Sequence, residues 1–348
     1  MPARQEIPSP IQQKLTDYEI LPKERLGQHI LVDQNILNFI AQQVSPGANV
    51  IEVGAGPGNL TEALTKTAKR VVGIEIDRQY GEILEDLQAK VNQTGDTENE
   101  TMDPFSMQGT IKKNKLSIIF GDALKLKYDK IMAADRDGSW EVAANIPYHI
   151  SEPFLKLLTE LPIDNAILMV GDNFGKALLT DNPLSDWYTK SSLIANAFFS
   201  VENLMELPAS GFYPFPSTRS YLMRLTPYKG EDVNQWNSIF RQLIRNERSK
   251  PVRSILETAF SNTSEAGNLR SKTERNRYDR RETNRELARL TKSGTYLEDS
   301  GRRAPQIGFA NIGKKLQLPD RILDTQFGSM NNEDLRVLSV AIHNYFSR

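Results

Sequence analysis

Apolar residues in this chain fall into two kinds of block, and the two kinds alternate. Residues 50–53, 71–76, 116–120, 142–144, 166–170 and 220–225 are short apolar runs, most of them ended by Gly, Asp or Asn. Runs this short, rich in Val, Ile and Leu, read as buried strands. Residues 35–44 instead place Ile36, Leu37, Ile40, Ala41 and Val44 at helical spacing, and Pro46 and Gly47 end the segment. Helices are expected likewise from 78 to about 90 and over 152–160. Strands alternating with helices predict an α/β fold with a mostly parallel sheet covered on both faces. From residue 233 onward the pattern is helical. It runs through Phe240, Leu243, Ile244, Val252, Ile255 and Leu256 to a closing helix carrying Leu335, Leu338 and Ile342, with Asn331 or Asn332 as its cap.

Three stretches interrupt this pattern. Residues 1–22 are polar and contain proline, and are expected to form an extended arm. Residues 93–110 are polar and net acidic without periodicity, an insertion rather than a working part. Residues 261–306 are polar, Arg-rich and poor in large apolar groups. The expected organisation is an arm (1–24), an α/β domain (25–228, with an insertion at about 91–115) and a helical domain (229–348, with an excursion at about 261–310).

At 348 residues the chain can bury a sizeable core and make two domains. It has no cysteine, which removes disulfides, thiolate nucleophiles and cysteine zinc sites, and its three histidines show no ligand spacing. No metal site is expected. No run approaches the roughly 20 apolar residues of a membrane span. The N-terminus lacks signal and transit patterns, so a cytoplasmic location without membrane partners is expected. The net charge of −1 hides an asymmetry: residues 241–315 carry 18 Lys and Arg against 9 Asp and Glu. Such a segment beside an acidic half is either a contact for a polyanion or a solvated surface.

The densest chemical signal is the stretch Glu52, Gly54, Gly56, Gly58, Leu60 and Thr61, between the runs at 50–53 and 71–76. Alternate glycines at a strand end serve positive φ or the close approach of a ligand to the backbone; a purely structural turn would use them too. A dinucleotide site needs a third glycine where Asn59 stands. The pattern E-x-G-x-G-x-G-x-L-T instead resembles the first motif of S-adenosylmethionine-dependent methyltransferases, whose cofactor has no phosphate. The acids at Glu75 and Asp77 end the next strand, where a ribose would be met. Asp122, just past the run at 116–120, is placed either to touch a ligand or to form a turn.

A second motif, Asn145-Ile146-Pro147-Tyr148, ends the run at 142–144. An exocyclic amine on a base is a poor nucleophile because its lone pair is delocalised into the ring. An asparagine carbonyl and a proline-adjacent backbone carbonyl can accept both N–H groups, favouring a pyramidal nitrogen. Pro147 supplies rigidity, and Tyr148 a face for an extruded base. The plain alternative is a strand-ending turn.

With Leu26-Gly27-Gln28-His29-Ile30-Leu31-Val32-Asp33 and Phe212-Tyr213-Pro214-Phe215-Pro216 with Ser220, these motifs resemble those of the KsgA-like small-subunit ribosomal RNA adenine N6,N6-dimethyltransferases. The Erm methylases and mitochondrial transcription-factor methylases are relatives of that family. The resemblance implies a Rossmann-like class I methyltransferase fold with a seven-stranded sheet, its last strand antiparallel, plus a small C-terminal helical domain. It implies S-adenosylmethionine as cofactor, with His29 and Leu31 flanking its methionine part and Gly54 and Gly56 beneath. Glu75 would take the ribose hydroxyls, Asp122 the adenine amine, and Asn145 would sit between donor and acceptor. Tyr148 and Phe212 would sandwich the target adenine. The implied partner is ribosomal RNA in an assembling small subunit; the sequence itself leaves the oligomeric state open, and monomeric action is the expectation.

Two departures stand out. His29 replaces a common asparagine, which directs its contact to the backbone. Gly171-Asp172-Asn173-Phe174-Gly175-Lys176-Ala177 replaces a usual Gln-x-Glu-x-Ala-x-Arg helix, and Ser217 replaces the usual basic residue after Pro216. These changes favour a rival reading, a ribosome-assembly or transcription factor with weak or no activity. An Erm-type large-subunit enzyme would share the reactive motifs. A nicotinamide oxidoreductase fails on glycine spacing and lacks an acid/base constellation.

Overall fold

The computed structural model describes residues 10–23, 27–93, 114–135, 138–147, 150–229, 235–265 and 312–346. Most of the expected insertion and the whole Arg-rich stretch from 266 lie outside these residues. The chain divides into two compact units, one of Met1–Gly175 with Ser200–Pro227, the other of Lys176–Phe199 with Tyr228–Arg348. The sequence led to one expected crossing near residue 228. The chain crosses three times, because residues 176–199 join the helical unit.

The strands of the first unit, in chain order, are β1 (Ile30–Leu31), β2 (Asn49–Val53), β3 (Arg70–Glu75), β4 (Leu116–Phe120), β5 (Trp140–Asn145), β6 (Asn165–Gly171), β7 (Phe199–Leu207), β8 (Phe212–Tyr213) and β9 (Ser220–Pro227). Among the described residues, seven form one sheet in the order β4-β3-β2-β5-β6-β9-β7. β2 pairs in parallel with β3 and β5, β3 with β4, and β5 with β6, while β9 runs antiparallel to β6. The helices between them are α1 (Pro10–Asp17), α2 (Gln34–Gln43), α3 (Asn59–Leu64), α4 (Gly81–Gln93), α5 (Tyr128–Met132), α6 (Ser151–Leu158) and α7 (Asp172–Leu179), of which the last passes into the second unit at Lys176. β2 and β3 are buried along their whole length and β5 as far as Ala144, including Val50, Ile51, Val71, Val72, Val142 and Ala143, as expected where helices cover both faces of a parallel sheet.

Register sets the level of the site. Val53 lies opposite both Ile74 and Ala144, so Gly54, Glu75 and Asn145 come to one height at the C-terminal edge of the sheet. Glu75 pairs with Phe120, which brings Gly121 and Asp122 to the same edge. Ligands bind outside this edge of an open parallel sheet.

Two elements differ from the expected ones. The described part of the arm, residues 10–23, is not a simple extended segment: Pro10–Asp17 is helical, and Leu15 and Ile20 are buried against Tyr80, Ile83 and Leu84. Ile11, Leu15 and Tyr18 recur at helical spacing, enough to fold a short polar segment once α4 offers an apolar face. β7 has no counterpart among the expected strands. It closes one end of the sheet, and its middle is largely exposed and carries Glu202 and Glu206. These face Arg224 at 3.2 Å and Arg219 at 2.7 Å. An edge strand that carries charges shows no apolar run.

The second unit contains α8 (Lys190–Phe198), α9 (Gln235–Arg245), α10 (Val252–Glu265), α11 (Ile312–Leu316), α12 (Asp320–Leu323) and α13 (Asn332–Phe346). Its core includes Leu193, Ile239, Phe240, Leu256, Phe327 and Leu338. The Tyr188 hydroxyl meets Ser339 Oγ at 3.2 Å within it. The cap of α13 is Asn331, whose Oδ1 accepts from Asp334 N at 2.8 Å. No described helix is long and apolar enough to cross a membrane, and no cluster of described side chains could hold a metal ion.

Gly175 stands where the resembled helix has alanine. A Cβ there would lie 2.6 Å from Cδ2 and 3.0 Å from Cγ of Tyr221. Gly175→Ala is therefore expected to destabilise the protein by about 1–3 kcal/mol in urea unfolding, despite alanine's better helix propensity. In a Tyr221→Ala background the same change should be neutral or stabilising. Equal effects in both backgrounds would contradict the packing argument.

Candidate active site

The turn after β2 reverses the chain within a few residues, and its glycines have φ of +80° (Gly54), +54° (Gly56) and +86° (Gly58). A side chain at any of them would be strained. At Gly58 a Cβ would also lie 2.6 Å from Leu87 Cδ2. At Gly54 it would come within 3.4 Å of the Asn145 carbonyl oxygen, whereas at Gly56 it would meet nothing within 4 Å. Gly58 thus serves packing, and Gly56 keeps open space above the loop.

Glu75 ties this loop to the next strand. Its Oε2 accepts from Gly56 N at 2.7 Å, and its Oε1 from Ile76 N at 2.8 Å and Asp77 N at 2.7 Å. A carboxylate offers about four acceptor positions, so one remains, on Oε2. Burial raises the pKa of Glu75 and the three N–H donors pull it back; the net direction is upward. Glu52, fully buried at the end of β2, is pushed up to about 8, chiefly by burial and further by Glu75 nearby.

Asn145, the last residue of β5, donates from Nδ2 to the His29 carbonyl at 2.7 Å. A carbonyl only accepts, so the amide nitrogen must face it, which fixes the orientation of Oδ1. The His29 ring in turn lies with Nδ1 2.9 Å from the Pro214 carbonyl, a contact that requires Nδ1 to carry the proton. β1 and β8 run alongside, Ile30 opposite Tyr213 and Leu31 opposite Phe212. The motifs at 26–33, 145–148 and 212–216 therefore meet through a short ladder and two hydrogen bonds.

These pieces surround one cavity, lined among others by His29, Leu31, Gly54, Gly56, Glu75, Asp122, Asn145 and Pro147. Three carboxyl groups, those of Glu52, Glu75 and Asp122, line it, and among its described lining residues there is no Lys or Arg. Asp122 accepts from Leu124 N at 3.0 Å and pairs with Lys125 at 3.0 Å. The lysine, then the backbone bond, lowers its pKa. It acts as a turn former and also faces the cavity. The Pro147 carbonyl accepts from Ile150 N at 3.1 Å and Ser151 Oγ at 3.4 Å, which starts α6.

Three expectations come out differently or fall outside. Phe212 is only 1% exposed, packed in the core with Leu31 and Leu37, and does not line the cavity. Successive residues of a strand point to opposite faces, and the β1–β8 register turns Phe212 inward. Asp77 also does not line the cavity. It is held by Lys23 Nζ at 2.8 Å, Gln28 Nε2 at 3.0 Å and Gln79 N at 3.1 Å. Burial works to raise its pKa, but the bonds from Lys23 and Gln28 outweigh it and the net direction is down. Tyr148 lies outside the described residues. Sequence reasoning gave no part to Asn59, whose buried Nδ2 donates to the Leu31 carbonyl at 2.8 Å and pins β1 to α3. The available signal was a polar residue where a dinucleotide site has glycine.

A family model described as ribosomal RNA adenine dimethylase matches residues 21–292. A Methanopyrus kandleri protein named "Probable ribosomal RNA small subunit methyltransferase A" is 34% identical over 246 residues, 69% of this chain and 77% of its own length. A Lysinibacillus sphaericus protein named "Ribosomal RNA small subunit methyltransferase A" is 30% identical over 269 residues, 74% of this chain and 84% of its own. Among solved structures, a dimethyladenosine transferase from Plasmodium falciparum aligns over 89% of this chain and 96% of its own, at 21% identity and a TM-score of 0.49.

The burial of Glu52 has a measurable consequence. Its carboxyl holds a proton to about pH 8 when folded but only to its usual 4.5 when unfolded. Unfolding between those values releases a proton, so stability falls as pH rises, by about 1.4 kcal/mol per unit, and levels off above the folded value. Glu52→Gln removes that slope. Urea unfolding from pH 5 to 8 should show the variant's stability curve flatter than wild type by about that amount; parallel curves would contradict the assignment.

Proposed function

The chain belongs to the ribosomal RNA adenine dimethylase family, and on that premise we propose that it methylates N6 of adjacent adenosines in small-subunit ribosomal RNA, twice each, with S-adenosylmethionine as donor. The family implies a methyl-donor cofactor. The observation that carries this particular donor is a cavity lined by the carboxyl groups of Glu75 and Asp122, with Glu52 protonated beneath them and no Lys or Arg among its described lining residues. Such a cavity disfavours a pyrophosphate and suits a cationic, phosphate-free group.

S-adenosylmethionine, when bound, supplies an electrophilic methyl group on a sulfonium. Gly54 and Gly56 let the backbone approach it, and the remaining acceptor position of Glu75 suits a ribose hydroxyl. Asp122 is assigned the adenine amine, and the backbone at His29 and Leu31 the methionine part. The amide of Asn145 does the work on the RNA side. With Nδ2 held by the His29 carbonyl, Oδ1 is left to accept an N–H of the target amine. The carbonyl of Ile146 is assigned the second N–H, since that of Pro147 already accepts twice. Holding both protons in this way leaves the nitrogen lone pair to point at the methyl group, a geometry favoured in the transition state. The excess proton of the methylated amine needs no strong base, because such an ammonium is acidic.

Tyr148 is assigned the stacking face for the extruded base, and Phe212 would have to leave the core to share it. The substrate on this reading is RNA within an assembling small subunit, met by a monomer in the cytoplasm. The Arg-rich residues 241–315 would supply phosphate contacts.

Asn145→Ala tests the assignment. Methyl transfer to under-methylated small subunits should fall by at least about 100-fold in kcat, while affinity for S-adenosylmethionine stays within a few-fold by calorimetry. Transfer near the wild-type rate would refute the role of Asn145. Cofactor binding by wild type without transfer to any ribosomal RNA would refute the enzymatic reading.

A further inference from the structure

Among the described residues of the first unit, three large apolar side chains stand exposed: Leu21 (78%), Ile76 (65%) and Phe215 (69%). Single exposed apolar residues are ordinary on protein surfaces, but each of these is linked by chain or hydrogen bond to residues that line one cavity. Ile76 lines it next to Glu75. Leu21 lies two residues before Lys23, which bonds Asp77, the residue after Ile76. Both are thus tied to the strand end that carries Glu75. Phe215 is tied through its neighbour to Asn145. It follows Pro214, whose carbonyl holds the His29 ring at 2.9 Å, and the His29 carbonyl holds Asn145 at 2.7 Å. Two hydrogen bonds and one residue of chain thus connect the exposed ring to the amide assigned to the acceptor.

Phe215 does not line the cavity, so whatever it touches lies outside it. Pro214 and Pro216 flank it and fix their own φ angles, so presenting the ring costs little further backbone entropy. The nearby cation, Arg219, is engaged by Glu206 at 2.7 Å and Asp172 at 4.0 Å, and the residue after Pro216 is Ser217. The loop therefore offers a proline-flanked apolar face whose own cation, Arg219, is already engaged by carboxylates. Such a face recognises the flat surface of an unpaired base better than it recognises a phosphate.

We propose that Phe215 stacks on an unpaired base adjacent to the target adenosine, holding the RNA strand while the target enters the cavity. The inference rests on the reading of the cavity as an RNA adenine methyltransferase site. It adds an RNA contact that depends on base stacking rather than on charge, in a loop mechanically tied to Asn145.

The test uses the full chain and a loop RNA with two adjacent unpaired adenosines, together with versions carrying an abasic site one nucleotide to either side of the pair. Phe215→Ala should weaken RNA binding about tenfold or more, leave affinity for S-adenosylmethionine within about twofold, and be rescued by Phe215→Tyr but not by Phe215→Leu. One of the abasic RNAs should bind wild type as weakly as the intact RNA binds Phe215→Ala, with no further loss in the variant. Unchanged affinity of Phe215→Ala, or the same loss on intact and both abasic RNAs, would overturn the proposal. Methyl transfer by wild type is read in parallel. If it is absent while the binding pattern holds, the catalytic reading fails and the stacking contact stands.

Discussion

One buried carboxylate holds the working edge of this sheet together. Glu75 receives backbone N–H groups from the glycine loop after β2 and from its own strand end. Parallel strands end with unsatisfied backbone groups, and a buried N–H without an acceptor is costly. Here three of them converge on one side chain. That convergence closes the loop over β3, fixes the positive-φ glycines where they leave space, and leaves a single acceptor position for a ligand. It also brings an acid close to buried Glu52, which helps to keep the Glu52 carboxyl protonated, and no Lys or Arg stands among the described residues that line the cavity. A sulfonium is the kind of group such an environment favours.

The other half of the site is built by long-range contacts rather than by one strand. Asn145 is oriented by the main chain of His29, and His29 by the carbonyl of Pro214. Replacing a common asparagine by histidine at position 29 therefore preserves the contact to Asn145, because the backbone makes it, and frees the side chain to anchor the proline loop. The divergent segment at 171–177 has a similar logic. Gly175 makes room for the Tyr221 ring on β9, and Asp172 lies 4.0 Å from Arg219. The loss of the resembled helix's Gln, Glu and Arg is thus accompanied by local repacking with β9 and its neighbours, within the same unit as the cavity.

Much of this was legible in the sequence, and the reasons differ by element. All six apolar runs became strands, most plainly β2, β3, β5 and β6, because buried parallel strands have no solvent face to interrupt them with polar residues. β7 was hidden because it lies at the sheet's end, where Glu202 and Glu206 pair with arginines across from them. The helix at Pro10–Asp17 was hidden because its stability comes from Tyr80, Ile83 and Leu84, far away in sequence. Gly54, Gly56, Glu75, Asp122, Asn145, His29, Leu31 and Pro147 do gather around one cavity, since motifs at the ends of adjacent parallel strands are level by register. Side-chain direction was not legible in the same way. Phe212 faces the core and Asp77 faces Lys23 and Gln28, because a motif gives a residue's place in the chain but neither which side of a two-residue strand it occupies nor which distant side chains will hold an acid past a strand end.

The central claim is that the cavity delivers methyl groups to adenosine N6 in small-subunit ribosomal RNA. The most direct measurement is transfer of labelled methyl from S-adenosylmethionine to under-methylated small subunits, with large subunits and naked RNA alongside, and the modified nucleosides mapped. The account predicts label at N6 of two adjacent adenosines in the small subunit and none in the large. Label confined to the large subunit, or no label despite measured binding of both cofactor and RNA, would contradict it.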